Sequence, residues 1–245
     1  MHSWDRHAHD EVERQRRFWN TWNAATRERV VDDVAVRQGE IVGLWLAEQG
    51  RDDLDLIEVG CGAGWLSPQL LQFGRVTATD LADEVIERAR RRTPEVQFVA
   101  GDFRELEFGD EAFDVVVSLE VLAHVEDQRA FVTKLRRLLK PGGHLLLSTQ
   151  NRPVLDRLNR IPPPEPGQLR RWVDRTELRN LLTPQFDVLR LISVTPRADR
   201  GVMRVITSRK LQRAVRPLIG NRLERSLEHL GLGWTLMALA RRPLE

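Results

Sequence analysis

The sequence predicts a doubly wound α/β domain built on a mostly parallel, seven-stranded sheet. Short apolar runs alternate with amphipathic stretches from residue 52 to residue 147, which is the pattern of strands that are connected by helices across a parallel sheet. The runs are apolar on both faces, as expected for strands covered by helices on both sides. The length of 245 residues suits one such domain.

The core elements are expected to follow one another in alternating order. Asp127 is expected to cap a helix with Phe131, Leu135 and Leu138 on its apolar face, and residues 141–143, Pro-Gly-Gly, are expected to end that helix. Further helices are expected at residues 66–73, 83–92 and 171–182. Strands are expected at residues 54–59, 75–80, 96–100, 113–119, 144–149, 186–194 and 234–240.

Helical segments flank this core on both sides. Two helices are expected within residues 10–50, and five prolines in residues 151–167 predict an irregular connection. Two amphipathic helices are expected at residues 209–230, with Asn221 as a cap and one apolar stripe formed by Leu223, Leu227 and Leu230. We therefore expect a single domain with four parts: an N-terminal helical lid (1–50), a cofactor-binding core (51–194), a helical insertion (195–233) and a last strand (234–245).

Composition excludes several classes of protein. With 41% hydrophobic and 30% charged residues and a net charge of +2, the chain is neither disordered nor fibrous. The single cysteine, Cys61, allows no internal disulfide and favours a reducing, cytoplasmic location. We expect no membrane span, no secretory signal and no nucleic-acid partner, although the basic segment 196–245 leaves peripheral membrane contact open beside a solvated arginine-rich face.

The sharpest motif is Glu-Val-Gly-Cys-Gly-Ala-Gly at residues 58–64, directly after a predicted strand and before a predicted helix. Glycines allow a tight turn and a close approach of ligand to backbone, and the following helix points free N–H groups at that ligand. Asp80 lies at the end of the next strand, 20 residues after Gly60, where a carboxylate can accept hydrogen bonds from ribose hydroxyls. The motif predicts a nucleoside-binding site.

Two residues favour S-adenosylmethionine over a dinucleotide. The dinucleotide pattern G-x-G-x-x-G requires a third glycine at the position of Trp65, where a bulky side chain would obstruct helix–strand packing. The carboxylate of Glu58 would repel a pyrophosphate but attract a cationic sulfonium. An NAD-type oxidoreductase stays the enzyme-class alternative, and a non-catalytic binding subunit of the same fold is a further one.

Together with Gly101-Asp102-Phe103 and Leu-Leu-Lys-Pro-Gly-Gly at residues 138–143, these motifs resemble class I S-adenosylmethionine-dependent methyltransferases over residues 54–194, and residues 234–242 resemble the final strand of that family. The resemblance implies a Rossmann-like methyltransferase fold. It also implies that Asp80 holds the ribose diol, that Asp102 contacts the adenine amino group and that Leu119 lies near the sulfonium. The cofactor-binding residues that it implies are Glu58, Gly60, Cys61, Gly62, Gly64, Asp80, Leu81, Asp102, Phe103 and Leu119.

Residues 118–127 and 148–152 resemble a subgroup, the ubiquinone-biosynthesis O-methyltransferases and their small-molecule relatives. That subgroup often carries acid-x-x-acid-His, whereas this chain has Glu120 and His124 with Ala123 in the second acidic position. If the segment is helical, Glu120 and His124 share one face, but no third ligand is evident. We therefore expect no metal site, and a divalent metal bound near Glu120 and His124 is the alternative.

Methyl transfer to a hydroxyl requires removal of a proton, and His124 is the candidate base; the alternative is a histidine that only packs beneath the site.

Trp19 and Trp22 are candidates to contact the acceptor from a lid, and the alternative is that they belong to the core of the first helix. We expect a small-molecule acceptor methylated at oxygen, with N- or C-methylation as alternatives. The sequence leaves a monomer and a homodimer equally open.

Overall fold

A computed structural model describes residues 3–208, 210–211, 220 and 222–245, with the side chains described from residue 10 onward. It contains one seven-stranded sheet with strands β1 (Leu54–Val59), β2 (Gly74–Asp80), β3 (Gln97–Ala100), β4 (Phe113–Leu119), β5 (Leu139–Gln150), β6 (Asp187–Pro196) and β7 (Gly233–Arg241). The strand order is β3-β2-β1-β4-β5-β7-β6. Strands β1 to β5 pair in parallel, and β7 is antiparallel to both β5 and β6. The predicted fold class is confirmed.

Helices cover both faces of the sheet and one of its edges. The described α-helices are α1 (Ser3–Ala25), α2 (Asp33–Ala47), α3 (Ser67–Leu70), α4 (Asp83–Arg92), α5 (Gln128–Leu138), α6 (Arg152–Leu158), α7 (Arg175–Leu182), α8 (Gly201–Ile206) and α9 (Arg222–His229). Two further segments, Leu71–Phe73 and Leu122–His124, form 3-10 turns. Within the described ranges, no helix combines the length and apolarity that crossing a bilayer requires.

Capping side chains explain where two of the helices begin. Asp127 accepts a hydrogen bond from the Ala130 amide (2.9 Å) and so caps α5, as predicted. Asp174 and Glu177 form a capping box, and for that reason α7 begins at Arg175 rather than at residue 171.

The structure departs from the sequence prediction in the connections. Residues 151–167 include the helix α6, because Pro153 lies in its first turn, where no amide hydrogen bond is lost. Helix α5 ends at Leu138, before the Pro-Gly-Gly sequence, which lies inside β5. The predicted helix 66–73 is α3 followed by a 3-10 turn.

The helical insertion is described only in part. Residues 209, 212–219 and 221, which include the predicted cap Asn221, lie outside the described residues. In α9, Leu227 is buried and Leu223 is half-buried, but Leu230 is 73% exposed, so the predicted stripe does not extend to Leu230.

The topology fixes where a ligand can bind. From β1 the chain proceeds to β2 and β3 on one side, and it then crosses to β4 and β5 on the other side. The carboxyl ends of β1 and β4 therefore flank the point at which the strand order reverses, which is the usual ligand crevice of an open α/β sheet. Helix α2 packs against β6 and β7, and its residues Ile41, Val42, Trp45 and Leu46 join the core.

We expect Leu46→Ala to lower the free energy of unfolding by about 2–5 kcal/mol, because Leu46 is fully buried between α2 and the sheet and its truncation leaves a cavity. The matched control is Leu44→Ala in the same helix, since Leu44 is 61% exposed. Urea unfolding of both variants measures the difference. Equal stabilities of the two variants would contradict the packing of α2.

Candidate functional site

A cavity of about 410 Å³ opens at the carboxyl ends of β1, β2, β4 and β5. Its walls come from the segments that follow these strands, from α1 and α2, and from the residues between α6 and α7. We call residues 161–172 the strap. The cavity thus occupies the crevice that the strand order predicts, and helical segments cover it.

The glycine turn forms the floor of this cavity. The amides of Gly60 and Cys61 both donate to the Thr79 carbonyl, at 2.7 and 3.0 Å, so the turn is tied to the end of β2. Gly60 (φ 78°) and Gly62 (φ 52°) adopt left-handed conformations that favour glycine. A Cβ on Gly60 would lie 2.0 Å from Cγ2 of Val121, and one on Gly62 would lie 2.9 Å from Oδ1 of Asn23.

Two of the predicted cofactor-binding residues do not line the cavity. Gly64 also has a left-handed backbone (φ 68°), but a Cβ there would approach the Phe98 ring at 3.1 Å, so this glycine serves the packing of the turn against β3. Glu58 is buried behind the turn and accepts a hydrogen bond from Oγ of Ser67 (2.5 Å). Burial, together with the nearby charge of Asp80, raises the pKa of Glu58 to about 8.

Asp80 locks the turn in place. Its Oδ2 accepts from the Gly62 amide and its Oδ1 from the Ala82 amide, each at 2.8 Å. Burial raises the pKa of Asp80, and the backbone hydrogen bonds oppose that rise. Each carboxyl oxygen retains a further lone pair, which leaves Asp80 able to accept hydrogen bonds from a diol. Leu81, next to it, also lines the cavity.

Asp102, Phe103, Leu119 and Cys61 line the cavity as well. Burial opposes ionisation of Asp102, but the hydrogen bonds from Arg104 outweigh it and lower the pKa of Asp102. The buried thiol of Cys61 has a raised pKa, mainly because of burial, so it stays protonated. The structure thus brings together eight of the ten predicted cofactor-binding residues, which are Gly60, Cys61, Gly62, Asp80, Leu81, Asp102, Phe103 and Leu119.

The segment that holds Glu120 and His124 is not an α-helix, so the condition for a shared helical face is not met. Glu120 has a left-handed backbone (φ 62°) and lies before the short 3-10 turn. Its Oε1 accepts from Nε2 of Gln38 (2.6 Å) and from Oγ of Ser148 (3.0 Å), and burial raises its pKa. Among the residues described with side chains, no group of three or more His, Cys, Asp or Glu could hold a metal ion.

His124 lines the cavity and is fixed in one orientation. Its Nδ1 lies 2.7 Å from the carbonyl oxygen of Leu169 in the strap, and because a carbonyl can only accept, we assign the proton to Nδ1 and the lone pair to Nε2. The ring of Trp19 packs edge-on against the imidazole at 4.7 Å. Burial, aided by the charge of Arg170, lowers the pKa of His124, so the ring is neutral at neutral pH.

Aromatic rings dominate the walls. Trp19 and Trp22 were candidates from the sequence, and both are half-buried at the cavity. Trp65 also lines it and packs toward Gly39 of α2, where a Cβ would lie 3.1 Å from its ring. In total, five of the seven tryptophans line this one cavity: Trp19, Trp22, Trp65, Trp172 and Trp234.

Sequence analysis missed several polar residues of the cavity, which are Asn23, Arg27, Gln38, Gln150, Arg170 and Arg197. Gln150 lies in the segment 148–152 that resembles the O-methyltransferase subgroup, so a signal existed for it. Its buried Oε1 has no hydrogen-bond partner among the described residues. The others come from α1, the connection between α1 and α2, α2, the strap and the segment after β6, where no motif marks them.

The buried acid Glu58 generates a pH-dependent prediction. Its folded-state pKa of about 8 exceeds the ordinary value of 4.5, so its contribution to stability is complete below pH 4.5 and is lost as pH rises through about 8. We expect the free energy of unfolding of the wild type to fall, relative to that of Glu58→Gln, by a few kcal/mol between pH 5 and about pH 8.5.

Urea unfolding at several pH values measures this difference. The control Glu95→Gln alters an exposed side chain and should follow the wild type at every pH. A constant difference between the wild type and Glu58→Gln across this range would contradict the burial of a protonated Glu58.

Residues 57–147 match a protein family described as a methyltransferase domain. A Mycolicibacterium smegmatis protein named "Probable S-adenosylmethionine-dependent methyltransferase" is 34% identical over 172 residues, which are 66% of this chain and 65% of that protein. A ubiquinone biosynthesis O-methyltransferase of Xanthomonas oryzae is 43% identical over 104 residues, which are 40% of this chain and 43% of that enzyme. The chain thus matches less than two thirds of the length of these curated relatives.

Solved structures agree on the fold. The N-methyltransferase NodS of Bradyrhizobium japonicum, solved with S-adenosylhomocysteine, aligns with a TM-score of 0.58 at 20% identity over 91% of this chain and 99% of its own. An S-adenosylmethionine-dependent methyltransferase of Mesorhizobium loti aligns with a TM-score of 0.57 at 22% identity over 77% of this chain and 91% of its own. The family match identifies a methyltransferase domain at residues 57–147, and with the M. smegmatis relative it confirms the predicted resemblance to S-adenosylmethionine-dependent methyltransferases; the sheet order and the solved structures confirm the fold.

Proposed function

We propose that this chain transfers a methyl group from S-adenosylmethionine to a hydroxyl oxygen of a small-molecule acceptor, with His124 as the general base. The single observation that carries the choice of oxygen is the orientation of His124, which is neutral, half-buried at the cavity and fixed by Leu169 so that Nε2 can accept a proton. The similarity to a ubiquinone biosynthesis O-methyltransferase over 104 residues supports the same choice.

The residues of the cavity floor fit this cofactor. Gly60 and Gly62 line the cavity with backbone, in a turn whose conformation favours glycine, and Asp80 presents a carboxyl group with spare lone pairs for a ribose diol. When bound, S-adenosylmethionine supplies an electrophilic methyl group on a positively charged sulfur. Asp80 adds negative charge at this end, which favours a sulfonium over a pyrophosphate.

His124 would take the proton of the acceptor hydroxyl at Nε2 while the carbonyl of Leu169 holds Nδ1–H. That carbonyl also stabilises the imidazolium that forms, because its oxygen faces the charged ring. The edge contact with Trp19 restricts rotation of the imidazole and excludes water from it. The protein would thus act mainly by aligning the acceptor oxygen with the methyl group and by excluding water from the site.

The size of the cavity supports a small-molecule acceptor, since cofactor and acceptor would share about 410 Å³ under α1 and the strap. Trp19 and Trp22 would contact that acceptor from the lid. A cytoplasmic location stays a sequence-based prediction. Methylation at nitrogen or carbon also releases a proton, so product analysis is the measurement that separates the three reactions.

Mass spectrometry of a library of hydroxyl, amine and activated-carbon acceptors tests this function. The protein is incubated with S-adenosylmethionine that carries a deuterated methyl group, and fragmentation locates the label. We expect the label on oxygen. Label found only on nitrogen or carbon, or label transferred equally well without the protein, would overturn the proposal.

Asp80→Ala should weaken the binding of S-adenosylhomocysteine about tenfold to a hundredfold, because hydrogen bonds to the ribose are lost. The control Glu84→Gln changes an exposed carboxyl group in the helix that follows β2. Calorimetry measures both affinities, and thermal unfolding shows that Asp80→Ala still folds. Wild-type affinity in the folded Asp80→Ala variant would refute its ribose role.

His124→Ala should lower kcat by about a hundredfold or more while the affinity for S-adenosylhomocysteine changes little, because the base acts on the acceptor proton. In the wild type, kcat should rise with pH through a pKa below 6.5, since only the neutral ring accepts a proton, and the variant should lack this dependence. The control His144→Ala lies in β5 outside the cavity. Equal turnover of the His124 and His144 variants would remove the base from the mechanism.

A further inference from the structure

Charge is divided unevenly along the cavity. Of the four arginines that line it, Arg27 pairs with Asp32 (3.1 Å) and Arg104 pairs with Asp102 (2.7 Å). Among the side chains that the structure describes, no carboxylate forms an ion pair with Arg170 or Arg197, the other two. Five of the described carboxyl groups line the cavity: Asp80 and Asp102 lie at the cofactor end, Asp32 pairs with Arg27, Glu120 is bonded to Gln38 and Ser148, and Glu126 is exposed. The arginines without an ion pair lie at the strap and in the segment after β6.

Arg170 is placed as a binding group. Its Nη1 donates to the Pro162 carbonyl (2.6 Å) and its Nη2 donates to Oε1 of Gln168. These two bonds use two of the five N–H groups of the guanidinium, and the other three can donate to a ligand. The side chain is half-buried, and burial lowers its pKa while the charge of Glu165 opposes the effect. Because arginine stays charged in proteins, this desolvated cation is best stabilised by an anion that enters the cavity.

Both unpaired arginines lie against tryptophan rings of the same cavity. The guanidinium carbon of Arg170 lies 5.7 Å from the ring centroid of Trp172, and that of Arg197 lies 5.4 Å from the centroid of Trp234. The contact holds the flat guanidinium in place, and Arg170 keeps three of its five N–H groups for hydrogen bonds to a carboxylate. The rings also offer apolar surface beside the charge.

The strap places Arg170 next to the proposed base. The residue before it, Leu169, supplies the carbonyl that orients His124, and the amide after it, that of Arg171, donates to the Ala123 carbonyl (2.7 Å). The charge of Arg170 also contributes to the lowered pKa of His124. An anionic group held by Arg170 would therefore lie close to a hydroxyl that faces Nε2 of His124.

We propose that the acceptor is a hydroxylated aromatic carboxylic acid, with its carboxylate bound by Arg170 and assisted by Arg197 near the cavity mouth, and with its ring against the tryptophans. This inference rests on the proposed function, because it names the acceptor class for the same site. It makes Arg170 a specificity-determining residue, distinct from His124, which acts on the proton.

Calorimetry with matched probes tests the proposal. The wild type is saturated with S-adenosylhomocysteine and titrated with 3-hydroxybenzoate and with its neutral counterpart, 3-hydroxybenzamide, in which the hydroxyl lies close to the carboxyl or amide group. We expect the acid to bind about tenfold more tightly or better, as a charged hydrogen-bonded contact implies. Arg170→Gln should abolish this preference and Arg197→Gln should reduce it.

The matched control is Arg171→Gln, because Arg171 is the neighbouring residue, is exposed and does not line the cavity. That variant should keep the preference for the acid. The acid-to-amide ratio separates binding from a purely structural role of Arg170, since a distorted strap would weaken both probes equally.

Three outcomes would overturn the acid site: equal affinity for acid and amide in the wild type, no binding of the acid by protein that still binds S-adenosylhomocysteine, or equal loss of preference in the Arg170 and Arg171 variants. Incubation of the bound acid with S-adenosylmethionine tests the proposed function separately. Preferred binding of the acid without label on any library hydroxyl would leave the acid site intact and refute O-methylation.

Discussion

The hydrogen bond from the Gly62 amide to Asp80 is the interaction on which the site depends. It joins the turn after β1 to the end of β2, and the donation of the Gly60 and Cys61 amides to Thr79 reinforces the same junction. This geometry requires left-handed backbone at the glycines, so a side chain there would remove the turn and not merely crowd it. The shape of the cavity floor is therefore set by the backbone conformation of the glycine turn.

The covering elements follow from that floor. Asn23 of α1 and Val121 after β4 approach the glycines so closely that a Cβ would collide with them. The first helix is thus seated on the turn itself, and it carries Trp19 against His124. One consequence is that the cofactor end and the acceptor end share a single enclosed space, in which water exclusion serves both binding and transfer.

Much of the fold and of the cofactor site could be predicted from the sequence, because their signals are local. The turn at residues 58–64 and Asp80 lie within a few residues of strand ends, where residue type and spacing are decisive. Glu58 and Gly64 belong to the same motif, yet they support the turn from behind, and spacing alone does not separate lining from supporting residues.

On the acceptor side, His124, Trp19 and Trp22 could be predicted, but the residues of the strap and of the segment after β6 could not. Arg170, Trp172 and Arg197 come from irregular segments, and their meeting depends on how the strap docks on the turn at His124. From the sequence, Trp65 is expected to obstruct close packing of the helix on the strand. In the structure its ring packs toward α2, where the small Gly39 provides the space. These contacts join residues that are far apart in the sequence, so the periodicity of hydrophobic residues does not predict them.

Calorimetric titration of the wild type with S-adenosylhomocysteine tests the central claim most directly, on protein that shows one cooperative thermal unfolding transition. The account predicts saturable heat with a stoichiometry of one ligand per chain and none with NADH under the same conditions. Absence of heat with S-adenosylhomocysteine, or tighter binding of NADH, would contradict it.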